Sequence, residues 1–516
     1  MTTFAGIPVT HRRSTTALVA PLSELAQGYG VVICLLAVGT MSGCAGIRNS
    51  QPPPPRLTLV TGGTISVPAF ERVVNENIRK ADVAGLSVAI INERRVVYAQ
   101  HFGWKDKDAA TLIDDSTAFT GGSLIKPIVA YLAVLLASEG QLDLDRPLVE
   151  FLAKPLHDHA GYAVFENEPR HRLITARLAL SHSSGLPNLR ESTAEGRLRI
   201  HFEPGSRFGY SGEGFRLLQL ILETITKRRI DTLAREKVFG PFGMRHSNLV
   251  WRPEIANNVA APHNEFGWSA EPDRPPTPDG AGTLLTTARD YGRFLAALLR
   301  AYENEGHFVR MMWTPQVRIT SERMTAPPGT LGSDLRLWWA LGWGVFETPV
   351  GQAVFHTGRK GGVQNYVVVF PDRGIGMVVL SNSDNFESVA HEIVAAGTGD
   401  RWSPFQWLGY ERFDSNRRKV APPRPVAITL SAAVIADYAG IYEFSPGARV
   451  HIKAEGNRLY ASDDGASWDE LLARSENVFF FKGRTLTAEF VRDESGRVAR
   501  LEVENSGAKI VARRLR

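Results

Sequence analysis

Two β-rich blocks stand far apart in this chain with helix-forming sequence between them, and any fold must satisfy that order. The first block, "AGLSVAIINERRVVYAQHFGW", holds β-branched and aromatic runs at 87–91 and 95–101 around a polar turn at Asn92–Arg94. Runs joined so tightly form an antiparallel hairpin, because parallel neighbours need a long crossover. The second block returns as "AVFHTG", "QNYVVVF" and "IGMVVLS", linked by "RKGG" and "PDRG". Between them the run 127–139 has helical character and stops at Gly140, and "TTARDYGRFLAALLRAYENEG" reads as a helix capped by Thr287. Ahead of the first block "VVNENIRK" is helix-like. The economical solution is one antiparallel sheet built from both ends of the region, with a helical insert. That is an α+β fold.

The tail carries a different pattern. After the proline-rich "RRKVAPPRPVAI" (417–428), the stretches "YAGIYEF", "RVHIKAEGNRLYAS", "VFFFKGRTLTAEFV" and "RVARLEVENSGAKIVARRL" alternate as strands do. They predict a small antiparallel barrel over 428–516, joined by a linker over 401–427. It resembles the lipocalin-like module found behind some bacterial hydrolases.

At the other end, "GVVICLLAVGTMSGCAG" (30–46) has an apolar core of about ten residues, too short to span a bilayer and suited to a signal peptide. "MSGC" resembles a bacterial lipobox, which makes Cys44 the lipid-attachment residue and 1–44 the leader. An ordinary secretory signal with an incidental cysteine is the alternative. "NSQPPPPR" then reads as an extended tether over 45–65, holding the domain at the periplasmic face of a bacterial membrane. Cys34 and Cys44 are the two cysteines among 516 residues, so no disulfide is expected in the folded part. The net charge of +5 is scattered, with short clusters only at "NRRK" and "ARRLR", which read as solvated surface rather than a nucleic-acid footprint. No metal-ligand spacing occurs, and neither metal nor other cofactor is expected.

Chemistry enters at "TGGSLIKP" (120–127). Ser123 and Lys126 sit three apart at the start of an apolar run, which on a helix places them on one face. A serine hydroxyl needs a neighbouring base, and lysine serves only if burial and the helix N-terminus lower its pKa far below about 10.4. The structural alternative for Ser123 is a helix cap. The spacing is cheap, for Ser506 and Lys509 in "SGAK" repeat it within the tail pattern, away from any apolar helix. "VTGGTI" (60–65) resembles the threonine turn of asparaginases but lacks that family's other motifs, and glycine for a turn is the better reading.

The larger stretch "STAFTGGSLIKPIVAYLAVLLASEGQLDLDRPL" resembles the nucleophile region of the serine β-lactamase and penicillin-binding protein family, class C branch. "LALSHSSGLPN", "FEPGSRFGYSGEGFRLLQLILETIT", "PFGMRHS", "GAGTLLTTARDYGRFLAALL" and "FHTGRKGGVQNYVVVFPDRGIGMVVLSNSDN" follow in the family's order over 66–400. The resemblance implies a β-lactamase/transpeptidase-like fold, an antiparallel sheet flanked by helices beside an all-helical subdomain, with the site in the cleft between. It implies Ser123 as nucleophile, Lys126 as base and Tyr210 as proton relay, where a half-buried turn aromatic is the alternative for Tyr210. It places His356, Thr357 and Gly358 on the strand lining the cleft, and the amides of Ser123 and Arg359 in an oxyanion hole. His356 would orient Tyr210 or the substrate, unless it is merely a hydrogen-bonded strand histidine.

Two positions depart from the family. Gly212 stands where the Tyr-x-Asn asparagine is usual, and His356 where lysine is common, with Arg359 or Lys360 as substitutes for the lost charge. The Tyr302–Asn304 pair matches Tyr-x-Asn but lacks its flanks. The expected function is an exported serine hydrolase cleaving an ester, amide or peptide bond of a small-molecule or peptide substrate. Simple esters are expected to be favoured over β-lactams. A true β-lactamase, or a catalytically weak penicillin-recognising sensor, are the alternatives.

Overall fold

The computed structural model describes residues 55–190, 198–255, 258–304, 307–324, 336–417, 420–445, 448–462, 465, 468–505 and 508–515. The expected leader, Cys44 and Ser506 lie outside the described residues. Within them, alternation decides the layering. In the strand Gly85–Asn92, Leu86, Val88 and Ile90 enter one core while Ala89 and Ile91 enter another. Ile375–Ser381 repeats this, with Met377 and Val379 on the first face and Val378 and Leu380 on the second. Side chains alternate along a strand, so a sheet apolar on both faces must be covered on both.

The sheet runs Thr111–Leu112, Arg95–Asp106, Gly85–Asn92, Ile375–Ser381, Val363–Phe370, Gly351–Lys360, Gly344–Thr348, Leu337–Trp339, Val317–Arg318, antiparallel throughout. Its two sequence blocks join where Leu86 meets Ser381 and Ile91 meets Gly376. One face is covered by the helices Val67–Ala81 and Ala390–Thr398 through Phe70, Val74, Ile393 and Val394. The other carries the helical region, including Ile125–Ser138, Gly212–Thr226 and Ala288–Glu303. Thr287 caps the last of these, its side chain accepting from the Asp290 amide. Gly292 brings that helix down onto the sheet, for a Cβ there would lie 3.1 Å from the Ala89 Cβ. This is the α+β architecture that the order of elements predicts.

Two segments expected to be connectors belong to the fold. Arg56–Thr58 pairs with Thr64–Ser66 around Gly62 at φ +90°, and Leu57 and Val60 are buried. The hairpin glycine is thus a turn, and the tether expected up to residue 65 stops short of it. Phe405, Trp407, Leu408 and Tyr410, expected in the linker, are buried in the Phe70 core. A hydrophobic run too irregular to show a period still buries its area.

The tail is a closed eight-stranded antiparallel barrel, from Gly440–Ser445 to Ala508–Arg514, preceded by the helix Ala432–Asp437. Tyr438, Tyr442, Phe479 and Phe490 fill its interior, with Tyr438 stacked 4.6 Å from Phe490. Lys509, of the second Ser–Lys spacing, lies on its last strand paired with Glu502. The barrel meets the sheet region where the Asn264 carboxamide donates to the Gly483 carbonyl at 3.0 Å.

Ile125–Ser138 is buried on nearly every side, so its packing carries no exposed face that could relax. Ile128→Ala removes a fully buried side chain from it and is expected to lower stability by about 2–5 kcal/mol, read from the denaturant midpoint at unchanged m-value.

Candidate active site

Gly122 starts the site. It sits at φ +55°, a conformation L side chains resist, and a Cβ on it would lie 3.0 Å from the Arg359 carbonyl. The tight turn Gly122–Leu124 then leads into Ile125–Ser138, and neither turn nor helix takes a side-chain cap. Ser123 is therefore not a capping residue. Its hydroxyl, half-buried, accepts from the Lys126 amine at 3.0 Å. Lys126 is 1% exposed, and it also donates to the Ala281 carbonyl at 2.6 Å. Burial strips water from the ammonium form and pulls this amine down to about 7; Asp279 nearby opposes the shift and Arg216 adds to it.

The Ala281 carbonyl is held in place by a charged network. Asp279 accepts from the Ala281 amide at 3.0 Å and pairs with Arg216 at 3.0 Å. Burial works against that carboxylate, but the Arg216 contacts hold it below its usual range. Glu213, 1% exposed, bridges Arg216 and Arg190 at 2.5 and 2.6 Å. None of these four residues stood out in the sequence, since scattered charges carry no period.

Tyr210 precedes the helix Gly212–Thr226, capped by Ser211, whose hydroxyl accepts from the Gly214 amide at 2.8 Å. The Tyr210 ring lies 5.1 Å below the Lys126 amine, and its phenol faces Ser123. Burial raises the phenol pKa, partly offset by the Ser123 hydroxyl, so the group keeps its proton at neutral pH. The ring packs 4.1 Å from His182, and His182 Nδ1 accepts from the Ser211 amide at 3.0 Å. That bond requires a neutral imidazole at this nitrogen, and burial with the Lys126 charge drives the histidine pKa down. Sequence reasoning passed over His182. Its signal was a bulky residue inside the turn-forming "HSSG", where it takes φ +53°.

His356 lies on Gly351–Lys360, 6.4 Å from the Tyr210 ring and 5.5 Å from Trp339. It is 0% exposed, donates through Nδ1 to the Thr357 carbonyl at 2.7 Å, and burial, then the Lys126 charge, drop its pKa to about 3. It stands behind Tyr210 as a neutral ring and does not reach the cleft surface. Thr357 is buried beside it. Gly358 is the contact point: a Cβ there would lie 1.9 Å from the Gly121 carbonyl. Opposite Gly358, Asn365 donates its amide to the Thr120 and Gly121 carbonyls at 2.9 and 3.2 Å, tying the two backbones together. The Arg359 amide nitrogen consequently sits 3.2 Å from the Gly122 Cβ position, next to Ser123. The Arg359 and Lys360 side chains turn away to Glu387 and Asp273, each at 2.7 Å.

Gly212 has a structural cause. A Cβ there would lie 2.4 Å from the Asn188 carbonyl, so an asparagine at 212 does not fit this backbone. Tyr302 lies on the helix Ala288–Glu303 against Trp313, apart from these groups.

With this geometry in hand the comparisons with known proteins are decisive for family. The Beta-lactamase family profile matches residues 70–397, and the profile described as Domain of unknown function (DUF3471) matches 424–513. The chain belongs to the beta-lactamase family. Protein flp of Staphylococcus aureus (strain MRSA252) is 21% identical over 333 residues, 61% of this chain; the match spans 62% of that relative's length. Penicillin-binding protein 4 of Amycolatopsis lactamdurans is 25% identical over 358 residues, 65% of this chain and 87% of its own. Among solved structures, the octameric penicillin-binding protein homologue from Pyrococcus abyssi superposes with TM-score 0.53 at 20% identity, over 87% of this chain and 100% of that one. D-alanine carboxypeptidase AmpC from Burkholderia cenocepacia gives TM-score 0.51 at 18% identity, over 63% of this chain and 97% of its own. The fold is therefore β-lactamase/transpeptidase-like with an appended barrel.

The close approach of Gly358 to Gly121 predicts a steep cost for any side chain. Gly358→Ala is expected to destabilise the protein by at least about 2 kcal/mol and to displace the Arg359 amide, read as a lower thermal midpoint together with slower labelling of Ser123.

Proposed function

We propose that this protein is an exported serine hydrolase that cleaves ester, amide or peptide bonds through an acyl-serine intermediate. The observation that carries the reading is a buried lysine, with its pKa lowered to about 7, 3.0 Å from a half-exposed serine hydroxyl. In the neutral form Lys126 takes the Ser123 proton as Oγ bonds to the substrate carbonyl carbon. The amides of Ser123 and Arg359 receive the oxyanion, a contribution typically worth a few kcal/mol of barrier. Tyr210, protonated throughout the neutral range, relays a proton to the leaving group as its bond to the carbon breaks. That proton is the one Lys126 took from Ser123, so the amine is neutral again when water attacks the acyl carbon; Lys126 accepts the proton of that water and returns it to Oγ as the bond between Ser123 Oγ and the carbon breaks.

Among the described residues, the cationic groups of the strand beside Ser123 are already engaged or neutral. His356 is neutral and buried, and Arg359 and Lys360 already pair with Glu387 and Asp273. This supports poor recognition of benzylpenicillin, whose carboxylate needs a cation. Export rests on the 30–46 leader pattern, and membrane attachment on Cys44.

A fluorophosphonate followed by intact mass tests the nucleophile: one adduct on the wild type and none on Ser123→Ala is the expected result, and an adduct that persists in the variant overturns it. Labelling requires neutral Lys126, so its rate should rise with pH and level off, with an inflection between about pH 6 and 8. A flat profile would assign the base elsewhere. Lys126→Met should slow labelling by about 10²–10⁴-fold without lowering the thermal midpoint, because it replaces a buried amine by an apolar side chain of similar size. A p-nitrophenyl ester should show a higher kcat/KM than benzylpenicillin on the same preparation. Cys44→Ala should move the protein from membranes to the soluble exported fraction, and a mature N-terminus at or before residue 44 without lipid would exclude the anchor.

A further inference from the structure

His182 occupies a position that the chain would ordinarily give to glycine. It follows the helix Ala176–Leu180, where its amide donates to the Ala179 carbonyl at 3.2 Å and the Ser183 amide donates to the Leu178 carbonyl at 2.9 Å. That pair of bonds closes a helix on a left-handed residue, and His182 is that residue, at φ +53°. A side chain with a β-carbon is strained there, and glycine is not.

The imidazole carries a second cost. Because Nδ1 accepts from the Ser211 amide at 3.0 Å, the proton of the neutral ring sits on Nε2. Nε2 is buried with no hydrogen-bond partner among the described residues. A hydrocarbon ring of similar size would pack against Phe208, Phe215 and Trp339 without stranding an N–H. Packing therefore accounts for neither the strained backbone nor the choice of histidine.

What the histidine does make is a clamp on Tyr210. Its carbonyl accepts from the Gly209 amide at 2.7 Å and its Nδ1 from the Ser211 amide, so the residues on both sides of Tyr210 hang from one residue. Between these two bonds the Tyr210 ring lies 4.1 Å from the imidazole, centroid to centroid. Ser211 in turn caps the helix Gly212–Thr226, so the clamp ties the backbone that carries the phenol to two helices. The acceptor that completes it is bonded to Cγ, as the Oδ1 of an asparagine is, and no hydrocarbon side chain supplies one.

We infer that His182 is a positioning residue for proton transfer through Tyr210, holding the phenol where it gives a proton to the leaving-group oxygen as the carbon–oxygen bond breaks and takes one from Lys126. The inference rests on the acyl-serine reading and deepens it from the nucleophile to the leaving-group step. Its consequence falls on substrates whose leaving group is too basic to depart as an anion. A p-nitrophenolate leaves without a proton, and an ethoxide does not.

The test compares the p-nitrophenyl and ethyl esters of butanoic acid, which form the same acyl-serine and differ only in the group expelled. The ratio of their kcat/KM values is taken within each variant, and each variant is also labelled with the fluorophosphonate. His182→Phe keeps a ring and removes the acceptor, and is expected to lower the ethyl-to-p-nitrophenyl ratio about tenfold, the scale of a slightly misplaced proton donor. His182→Asn restores the acceptor and tolerates the left-handed backbone, and should bring the ratio back to within about threefold of wild type. His182→Gly removes the acceptor while relieving the strain, and replaces the phenylalanine variant, with the same loss expected, if that one does not accumulate folded. A ratio within about twofold of wild type in a folded phenylalanine or glycine variant that still labels at Ser123 overturns the inference alone, since equal loss on both esters is the signature of a structural role. An asparagine variant whose ratio falls as far as that of the phenylalanine variant overturns it as well. Wild-type protein that does not label at Ser123 overturns the acyl-serine reading itself.

Discussion

The site is organised around an amine that water cannot reach. Lys126 lies at the start of a helix buried on nearly all sides, and its amine donates to two oxygens, those of Ser123 and Ala281. An ammonium in that position would forfeit its hydration, so burial favours the neutral base. The surroundings keep the shift moderate. Asp279 favours the charged form and Arg216 disfavours it, leaving the amine near 7 instead of permanently neutral. The Glu213, Arg190, Arg216 and Asp279 network also fixes the loop that presents the Ala281 carbonyl. At the turn itself, the buried Tyr291 hydroxyl donates to the Leu124 carbonyl at 2.9 Å.

The aromatic wall follows from the same charge. His182 and His356 lie close enough to Lys126 for its positive form to push both pKa values down, and burial pushes them the same way. Two neutral imidazoles beside Tyr210 add shape without adding charge. A lysine at 356 would bring a second buried cation to Lys126 and raise the cost of both. The histidine of the HTG stretch is compatible with this crowded site because it can discharge.

Glycines make the assembly possible where backbones touch. Gly358 meets the Gly121 carbonyl, Gly122 meets Arg359, and Gly212 meets Asn188. Each contact joins segments distant in the chain, and in each a Cβ would crowd backbone atoms that have nowhere to move. The Gly212 contact changes how the departure from the family pattern reads. As a letter in a sequence, Gly212 is a lost carboxamide. In the fold it is the place where the Asn188 backbone carbonyl leaves no room for a Cβ.

Much of this was legible beforehand because it is local. Alternation in 87–101 and 364–381, the helix stop at Gly140 and the Thr287 cap depend on neighbours a few residues away. So does the placing of Ser123 and Lys126 on one face. The folding of 56–66 and the burial of Trp407 were missed, since neither short run shows a period and both gain stability only from partners elsewhere. The protonation state of Lys126 and the neutrality of His356 were not legible at all. They depend on desolvation and on charges brought together from residues 126, 182, 216, 279 and 356. The sequence by itself determined which side chains would be available and in what order. Only the tertiary structure decided which of them lose water and which touch, because the electrostatic cost of burial and the contact of two backbones are set by distance in space.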